Sequence, residues 1–142
     1  MTIVLRTEHV RAIEAHARKT YPEECCGLLL GRSAGSKRVD EPRPATNVAE
    51  TNRERRYVID PRAIFSVDHE LRGTGREILG FYHSHPDHPA QPSAFDEAQA
   101  TWPGYSYVIL SIVDGNPAGL RSWVLEKEGG RFRPETLSTA EV

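Results

Sequence analysis

The sequence predicts an α/β domain in which helices pack against a mixed, largely antiparallel β-sheet. Apolar runs suited to strands occur before, between and after three helical segments, which is the order expected of such a sheet. Turn residues at 114–117 and 129–130 join the last strands as hairpins, so these neighbours should be antiparallel. With 142 residues the chain is large enough for one hydrophobic core. We therefore expect a single domain over 1–142, with its core at about 7–134 and a frayed C-terminal tail at 135–142.

The first predicted elements are an amphipathic helix and a buried strand. Residues 7–20 place Val10, Ile13 and Ala17 on one helical face, with charged residues around the other. A short apolar run bounded by glycine follows at 25–31 and is typical of a buried strand.

The segment from Ser33 to Ile59 carries weaker signals. A Gly/Ser turn at 33–37 leads into 38–46, whose two prolines allow only an edge strand or an extended loop. Residues 47–56 are polar and predict a loop, and 57–59 predict a short strand.

The next helix has a clear start. Asp60 is a good N-cap, and Pro61 suits the first helical position, so a helix is expected to run to about Arg72 before the glycines at 73–75. The remaining predicted elements are a strand at 77–82, a helix starting at Ser93, and strands at 105–113, 119–128 and 131–133.

Composition and charge exclude several classes of protein. Hydrophobic residues make up 38% and charged residues 27% of the chain, as in soluble globular proteins, and a net charge of −2 does not suggest a nucleic-acid binder. The N-terminal apolar run, Ile3 to Leu5, is too short for a signal peptide or a membrane span. Cys25 and Cys26 are adjacent and cannot form an ordinary loop-closing disulfide, so we expect a reduced, cytoplasmic protein.

Two histidines at the end of the strand predicted at 77–82 indicate a metal site. His83 and His85 are two residues apart, so an extended chain directs both imidazoles to the same face. Seven residues after His85, Ser93 is expected to cap a helix whose first turn carries Asp96, and that carboxylate can turn back toward the histidines. Two neutral imidazoles, one carboxylate and an open position commonly hold a catalytic zinc. The pattern therefore predicts a zinc site.

Other zinc chemistries fit the same histidines less well. A zinc deaminase needs a downstream Pro-Cys-x-x-Cys, whereas Cys25 and Cys26 are adjacent and precede the histidines. The run from His83 to His88 also resembles the His-x-His-x-Asp-His motif of metallo-β-lactamase-type hydrolases, in which Asp87 and His88 would join His83 and His85. That resemblance implies further histidines downstream, and none follows His88.

Glu24 stands at the start of the predicted strand at 25–31. Taken alone, this segment favours a solvated acid at a strand terminus over a functional carboxylate.

A combination of motifs changes that interpretation. Glu24-x-Cys26-Gly27, His83-Ser84-His85-Pro86 and Ser93-x-x-Asp96 together resemble the motif of the JAMM (JAB/MPN-type) zinc metallopeptidases, and the similarity spans roughly Tyr21 to Lys127. The resemblance implies the JAB/MPN fold, a cytidine-deaminase-like domain of three layers. It implies His83, His85 and Asp96 as zinc ligands with water as the fourth. It also implies Glu24 as general base and acid for a zinc-activated water, and Ser93 as a hydrogen-bond donor to the oxyanion.

The resemblance also implies a class of substrate. Members of this family cut peptide or isopeptide bonds after the C-terminal tail of ubiquitin or ubiquitin-like proteins. A short chain is most similar to the prokaryotic stand-alone branch, some members of which free the C-terminal Gly-Gly of ubiquitin-like sulfur-carrier proteins. Such a carrier is therefore the expected partner, and nucleic acid and membrane are not. A non-catalytic scaffold of the same fold is the alternative, although such domains have usually lost motif ligands and every motif position is filled here.

Overall fold

The computed structural model describes residues 1–127 and 129–141. Three helices are present in these ranges: α1 (Thr7–Thr20), α2 (Pro61–Leu71) and α3 (Ala94–Gln99). The strands are β1 (Ile3–Arg6), β2 (Cys26–Ala34), β3 (Ser36–Ala45), β4 (Glu77–Pro86), β5 (Ser106–Val113), β6 (Asn116–Leu125), β7 (Phe132–Glu135) and β8 (Leu137–Ala140). No helix in the described ranges has the length and apolar character needed to cross a membrane.

The described strands form one sheet in the order β7-β6-β5-β4-β2-β3-β1-β8. The pairs β2–β3, β2–β4, β5–β6 and β6–β7 are antiparallel, whereas β4–β5, β1–β3 and β1–β8 are parallel. The predicted fold class, a mixed and largely antiparallel sheet flanked by helices, is confirmed.

The sheet is buried on both faces, which makes the domain three layers thick. Ile13 and Ala17 of α1 belong to one buried cluster, and Val67 and Leu71 of α2 belong to the other. Successive residues of β2 alternate between the clusters, because side chains along a strand point to opposite faces. Continuous apolar runs such as the one in β2 are therefore the sequence signature of this two-sided burial.

Several predicted elements are confirmed with small shifts in their bounds. Asp60 caps α2 by accepting a hydrogen bond from the backbone N–H of Arg62 at 2.9 Å. The strand predicted at 25–31 extends to Ala34, and the turn into β3 is made at Gly35, whose φ of 78° suits glycine. Pro86 ends β4, as predicted from its missing N–H.

Other predictions were wrong. Part of the tail predicted to fray at 135–142 instead forms β8, which pairs with β1, a strand that was not predicted. Each has four residues, too few for a periodic signal, and their pairing joins the two ends of the chain. The strand predicted at 57–59 is reduced to an isolated bridge between Asn47 and Ile59. The strand predicted at 119–128 is Asn116–Leu125, and Glu128 and Val142 lie outside the described residues.

The position of β4 in the sheet determines where the candidate site lies. β4 runs between β2 and β5 with Gly80 opposite Ser106, and a Cβ on Gly80 would collide with the Ser106 carbonyl. In the antiparallel pairing with β2, His83 lies opposite Cys26. The residues just before β2 are therefore brought to the end of β4 that carries the two histidines.

Candidate metal and catalytic site

The two histidines converge as their spacing predicts. His83 and His85 lie on β4, and their Nε2 atoms are 3.1 Å apart. Both side chains are buried. A single ion can therefore be reached by both imidazoles.

The helix after β4 adds a carboxylate to the histidine pair. Ser93 is the N-cap of α3: its Oγ accepts from the Asp96 N–H at 3.0 Å, and Asp96 Oδ2 accepts from the Ser93 N–H at 2.9 Å. This reciprocal capping turns the Asp96 carboxylate back toward β4, where Oδ2 lies 3.0 Å from His85 Nε2 and 3.3 Å from His83 Nε2. The predicted cap and the predicted direction of Asp96 are confirmed.

The spacing of these three atoms fits a zinc ion. Zinc bound tetrahedrally at roughly 2.0–2.1 Å from each ligand places neighbouring ligand atoms about 3.3 Å apart. The observed separations of 3.0, 3.1 and 3.3 Å lie close to that value. Two imidazole nitrogens and a carboxylate oxygen are also ligands that zinc prefers.

The pKa shifts of His83 and Asp96, and the orientation of the His85 ring, also suit a cation. Burial lowers the pKa of His83, although the Asp96 carboxylate opposes this effect, and the neutral ring keeps a lone pair for a ligand. Burial alone would raise the pKa of Asp96, but the two imidazoles and the Ser93 N–H hold that pKa well below its usual range. Nδ1 of His85 lies 2.8 Å from the Pro89 carbonyl and can donate to it, which leaves Nε2 unprotonated.

Glu24, which lies just before β2, lines a cavity beside the candidate metal site. Its backbone is held on both sides: its N–H donates to the Arg53 carbonyl at 2.8 Å, and its carbonyl accepts from Asn47 Nδ2 at 3.2 Å. The residue is only 3% exposed, and among the described residues Oε1 has no hydrogen-bond partner. The local interpretation of a solvated strand-start acid was wrong, because the pairing of β2 with β4 buries this position.

Glu24, His85 and Ser93 line one cavity of about 450 Å³. An unpartnered buried carboxyl is costly unless a ligand or water satisfies it, so a carboxyl left this way beside a candidate metal site indicates a reactive position. The cavity also includes His88, which accordingly belongs to the rim of the site.

Burial raises the pKa of Glu24 to about 9, with a further contribution from the negative charge of Asp96. Because the unfolded carboxyl titrates near its ordinary value, the folded metal-free protein holds one more proton between these two pKa values. We expect its stability to fall by about 1 kcal/mol between about pH 7 and about pH 8. Urea unfolding with a chelator present measures this slope. The variant Glu24→Gln should flatten it, and an unchanged slope in the variant would contradict the assignment to Glu24.

Two neighbours of the site had no signal in the sequence. The Tyr57 ring stacks on the His83 ring at a centroid distance of 4.3 Å and an angle of 21°. Asn47 links the Glu24 carbonyl to the Arg56 carbonyl through its Nδ2. Both residues lie in the segment predicted as loop and short strand, where no periodicity marks an inward side chain.

Asp87 lies next to the site but faces away from it. Its carboxylate accepts from the Tyr21 hydroxyl at 2.8 Å and from the Asp114 N–H at 3.0 Å. The cluster of convergent ligand atoms comprises His83, His85 and Asp96, without Asp87. The metallo-β-lactamase-type interpretation therefore gains no support from the arrangement.

Comparisons with known proteins agree with the fold and show the family. A family model described as prokaryotic homologs of the JAB domain matches residues 6–126. The chain is 39% identical over 104 residues to the desampylase of Haloferax volcanii, covering 70% of this chain and 73% of that protein. It is 33% identical over 124 residues to the CysO-cysteine peptidase of Mycobacterium tuberculosis, covering 85% and 81% of the two chains.

A solved structure shows the same architecture over the whole chain. The solution structure of a protein from Desulfitobacterium hafniense has a TM-score of 0.84 and 32% identity, and the match covers 100% of this chain and 94% of that one. The mixed sheet of eight described strands with three helices is the JAB/MPN fold. The chain is therefore a member of the prokaryotic JAB family and a JAMM-type peptidase.

Proposed function

We propose that this protein is a zinc-dependent peptidase that hydrolyses the peptide or isopeptide bond after the C-terminal Gly-Gly of a ubiquitin-like or sulfur-carrier protein. The observation that carries the proposal is the convergence of two imidazoles and one carboxylate beside a cavity that His85 lines together with Glu24, whose buried Oε1 has no hydrogen-bond partner among the described residues. The names of the relatives, a desampylase and a CysO-cysteine peptidase, support the substrate class. The two buried free cysteines are compatible with a cytoplasmic location, which is part of the proposal.

His83, His85 and Asp96 would hold the metal. When bound, zinc would lower the pKa of a coordinated water to about 7 and would polarise the scissile carbonyl. The chain itself contributes oriented ligands, with the His85 ring fixed by Pro89 and the Asp96 carboxylate fixed by the cap of α3.

Glu24 would move the proton. It would take a proton from the attacking water at a carboxylate oxygen and deliver it to the nitrogen of the leaving amine as the carbon–nitrogen bond breaks. The carboxylate form is needed for the first step. One cause of the raised pKa of Glu24 is the charge of Asp96, so neutralising that charge on metal binding favours the carboxylate.

Ser93 would stabilise the oxyanion. Its Oγ already accepts the capping N–H of Asp96, but its own hydroxyl proton has no acceptor within the described part of the chain and the residue lines the cavity. A hydroxyl fixed by the backbone and able to donate into the cavity suits the negative oxygen that forms during amide hydrolysis.

For Ser93→Ala we expect kcat to fall about 10²- to 10³-fold, because one donor to the oxyanion is lost. The substitution also removes the cap of α3, so zinc stoichiometry and urea stability must be measured alongside kcat. Ser93→Thr, which keeps both the cap and the hydroxyl, is the matched control. If Ser93→Ala loses zinc in proportion to its activity, the residue acts only through the cap.

The proposed function is tested by intact-mass spectrometry. The substrate is a ubiquitin-like carrier extended beyond its Gly-Gly by a cysteine or a short peptide, incubated with the zinc-loaded protein. We expect release of the Gly-Gly form, and none after the zinc is chelated. A protein with bound zinc that cleaves no such extension would favour the non-catalytic scaffold instead.

A further inference from the structure

Two arginines stand at the mouth of the cavity that contains Glu24. Arg55 and Arg56 line it together with His85 and Ser93. Their loop is tied to the backbone of the proposed base: the Arg53 carbonyl accepts from the Glu24 N–H at 2.8 Å, and Asn47 Nδ2 bridges the carbonyls of Glu24 and Arg56 at 3.2 and 2.9 Å. The backbone that carries the two arginines is therefore anchored beside the proposed base.

Neither guanidinium forms an ion pair with a carboxylate in the described part of the chain. Arg43, Arg62 and Arg76, by contrast, form ion pairs with carboxylates at 2.6–2.9 Å. Arg55 instead directs Nη1 to Nε2 of His88 at 2.7 Å, and Arg56 lies over the Phe95 ring at 4.6 Å from its centroid.

These contacts place both guanidinium groups beside residues that adjoin the candidate metal ligands. His88 is bonded through its N–H to the His85 carbonyl at 3.4 Å, and Phe95 is the neighbour of Asp96. Arg55 keeps the N–H groups that its contact with His88 does not use, and a guanidinium fork matches a carboxylate in shape and charge. The rim therefore favours an anionic group close to the scissile bond.

The size of the cavity favours a small anion. Its volume of about 450 Å³ falls within the roughly 300–1,000 Å³ of sites that enclose small molecules. An amino acid or a very short peptide fits such a volume, whereas the acidic surface of a folded protein does not enter it.

We propose that Arg55 binds the free α-carboxylate of the leaving amino acid, so that the enzyme prefers to remove a single C-terminal residue after Gly-Gly. This inference rests on the proposed function. Water adds its oxygen to the glycine carbonyl carbon, the carbon–nitrogen bond breaks and the nitrogen takes the proton. The released amino acid therefore leaves with its own carboxylate. In an isopeptide bond the leaving amine belongs to a lysine side chain of a protein, whose α-carboxyl is itself in a peptide bond and carries no charge.

The test compares two substrates that differ only in this charge. A ubiquitin-like carrier ending in Gly-Gly-Cys is prepared with a free α-carboxylate and as the carboxamide, and kcat/KM is measured for the zinc-loaded wild type, Arg55→Gln and Arg55→Lys. Arg62→Gln is the matched control, because Arg62 is an exposed arginine that does not line the cavity. Zinc stoichiometry is measured for every variant.

We expect the wild type to cleave the free acid on the order of 10- to 100-fold more efficiently than the amide. A factor of this size corresponds to the loss of one hydrogen bond to a charged group. Arg55→Gln should bring the ratio of the two kcat/KM values close to one, and Arg55→Lys should retain part of the preference. Equal cleavage of both substrates by the wild type would overturn the inference alone. An equal loss on both substrates in Arg55→Gln would also overturn it, since the arginine would then dock the carrier. Cleavage of neither substrate by the zinc-loaded wild type would instead overturn the proposed function.

Discussion

Glu24→Gln is expected to bind zinc like the wild type and to lose about 10²- to 10⁴-fold in kcat, the contribution typical of a general acid–base group. The amide keeps the size and shape of the side chain, and Glu24 donates no ligand atom to the cluster of His83, His85 and Asp96. The amide of the variant, unlike a carboxylate, cannot accept a proton from water at neutral pH. Zinc content by mass spectrometry and single-turnover cleavage of a Gly-Gly-Cys carrier separate metal binding from chemistry.

The fold should tolerate this change. Because Glu24 Oε1 has no hydrogen-bond partner among the described residues, the variant breaks no observed contact, and a neutral side chain avoids the cost of ionising a buried carboxyl. Glu23→Gln is the matched control, since Glu23 precedes Glu24 and is exposed. Near-normal turnover by Glu24→Gln would show that another group moves the proton.

Glu24 illustrates which part of the site the sequence could predict. The geometry of His83, His85, Ser93 and Asp96 follows from local rules, because a strand sets the i, i+2 direction and a helix cap turns the carboxylate. Nothing local to Glu24 indicates its burial. That burial arises from the pairing of Cys26 with His83 across almost sixty residues, and only the combined motif anticipated a role for the residue.

The same distinction between local patterns and long-range pairing holds for the fold. Long apolar runs such as those in β2, β4 and β5 predicted strands and a mixed sheet, because burial on both faces leaves a clear signal in composition. β1 and β8 were missed because each has only four residues and owes its stability to partners distant in the chain. Tyr57 and Arg55 were missed for a related reason, since their loop is placed by hydrogen bonds to Glu24 rather than by its own pattern.

Asp96→Asn is expected to reduce zinc affinity by at least about 100-fold and to abolish measurable turnover. The carboxylate supplies the only anionic ligand in the cluster, and its loss should exceed the roughly 10- to 100-fold cost of removing a group that merely supports a ligand. Asparagine retains an oxygen that can accept the Ser93 N–H, so the cap of α3 is kept. Competition with a chelator of known affinity measures the change.

The neighbouring carboxylate, Glu97, provides the control for Asp96→Asn. Glu97 also lies in the first turn of α3, but it accepts the Phe132 N–H at 3.2 Å and is not part of the ligand cluster. Glu97→Gln should therefore bind zinc as the wild type does, although it removes one charge from the same helix turn. If both variants lost zinc equally, the effect would come from the negative charge in the first turn of α3 and not from coordination by Asp96. If neither lost zinc, Asp96 would be a capping residue and the metal would be held without it. Only a loss confined to Asp96→Asn is compatible with coordination. The two side chains lie in the same helix turn, but only the Asp96 carboxylate belongs to the ligand cluster.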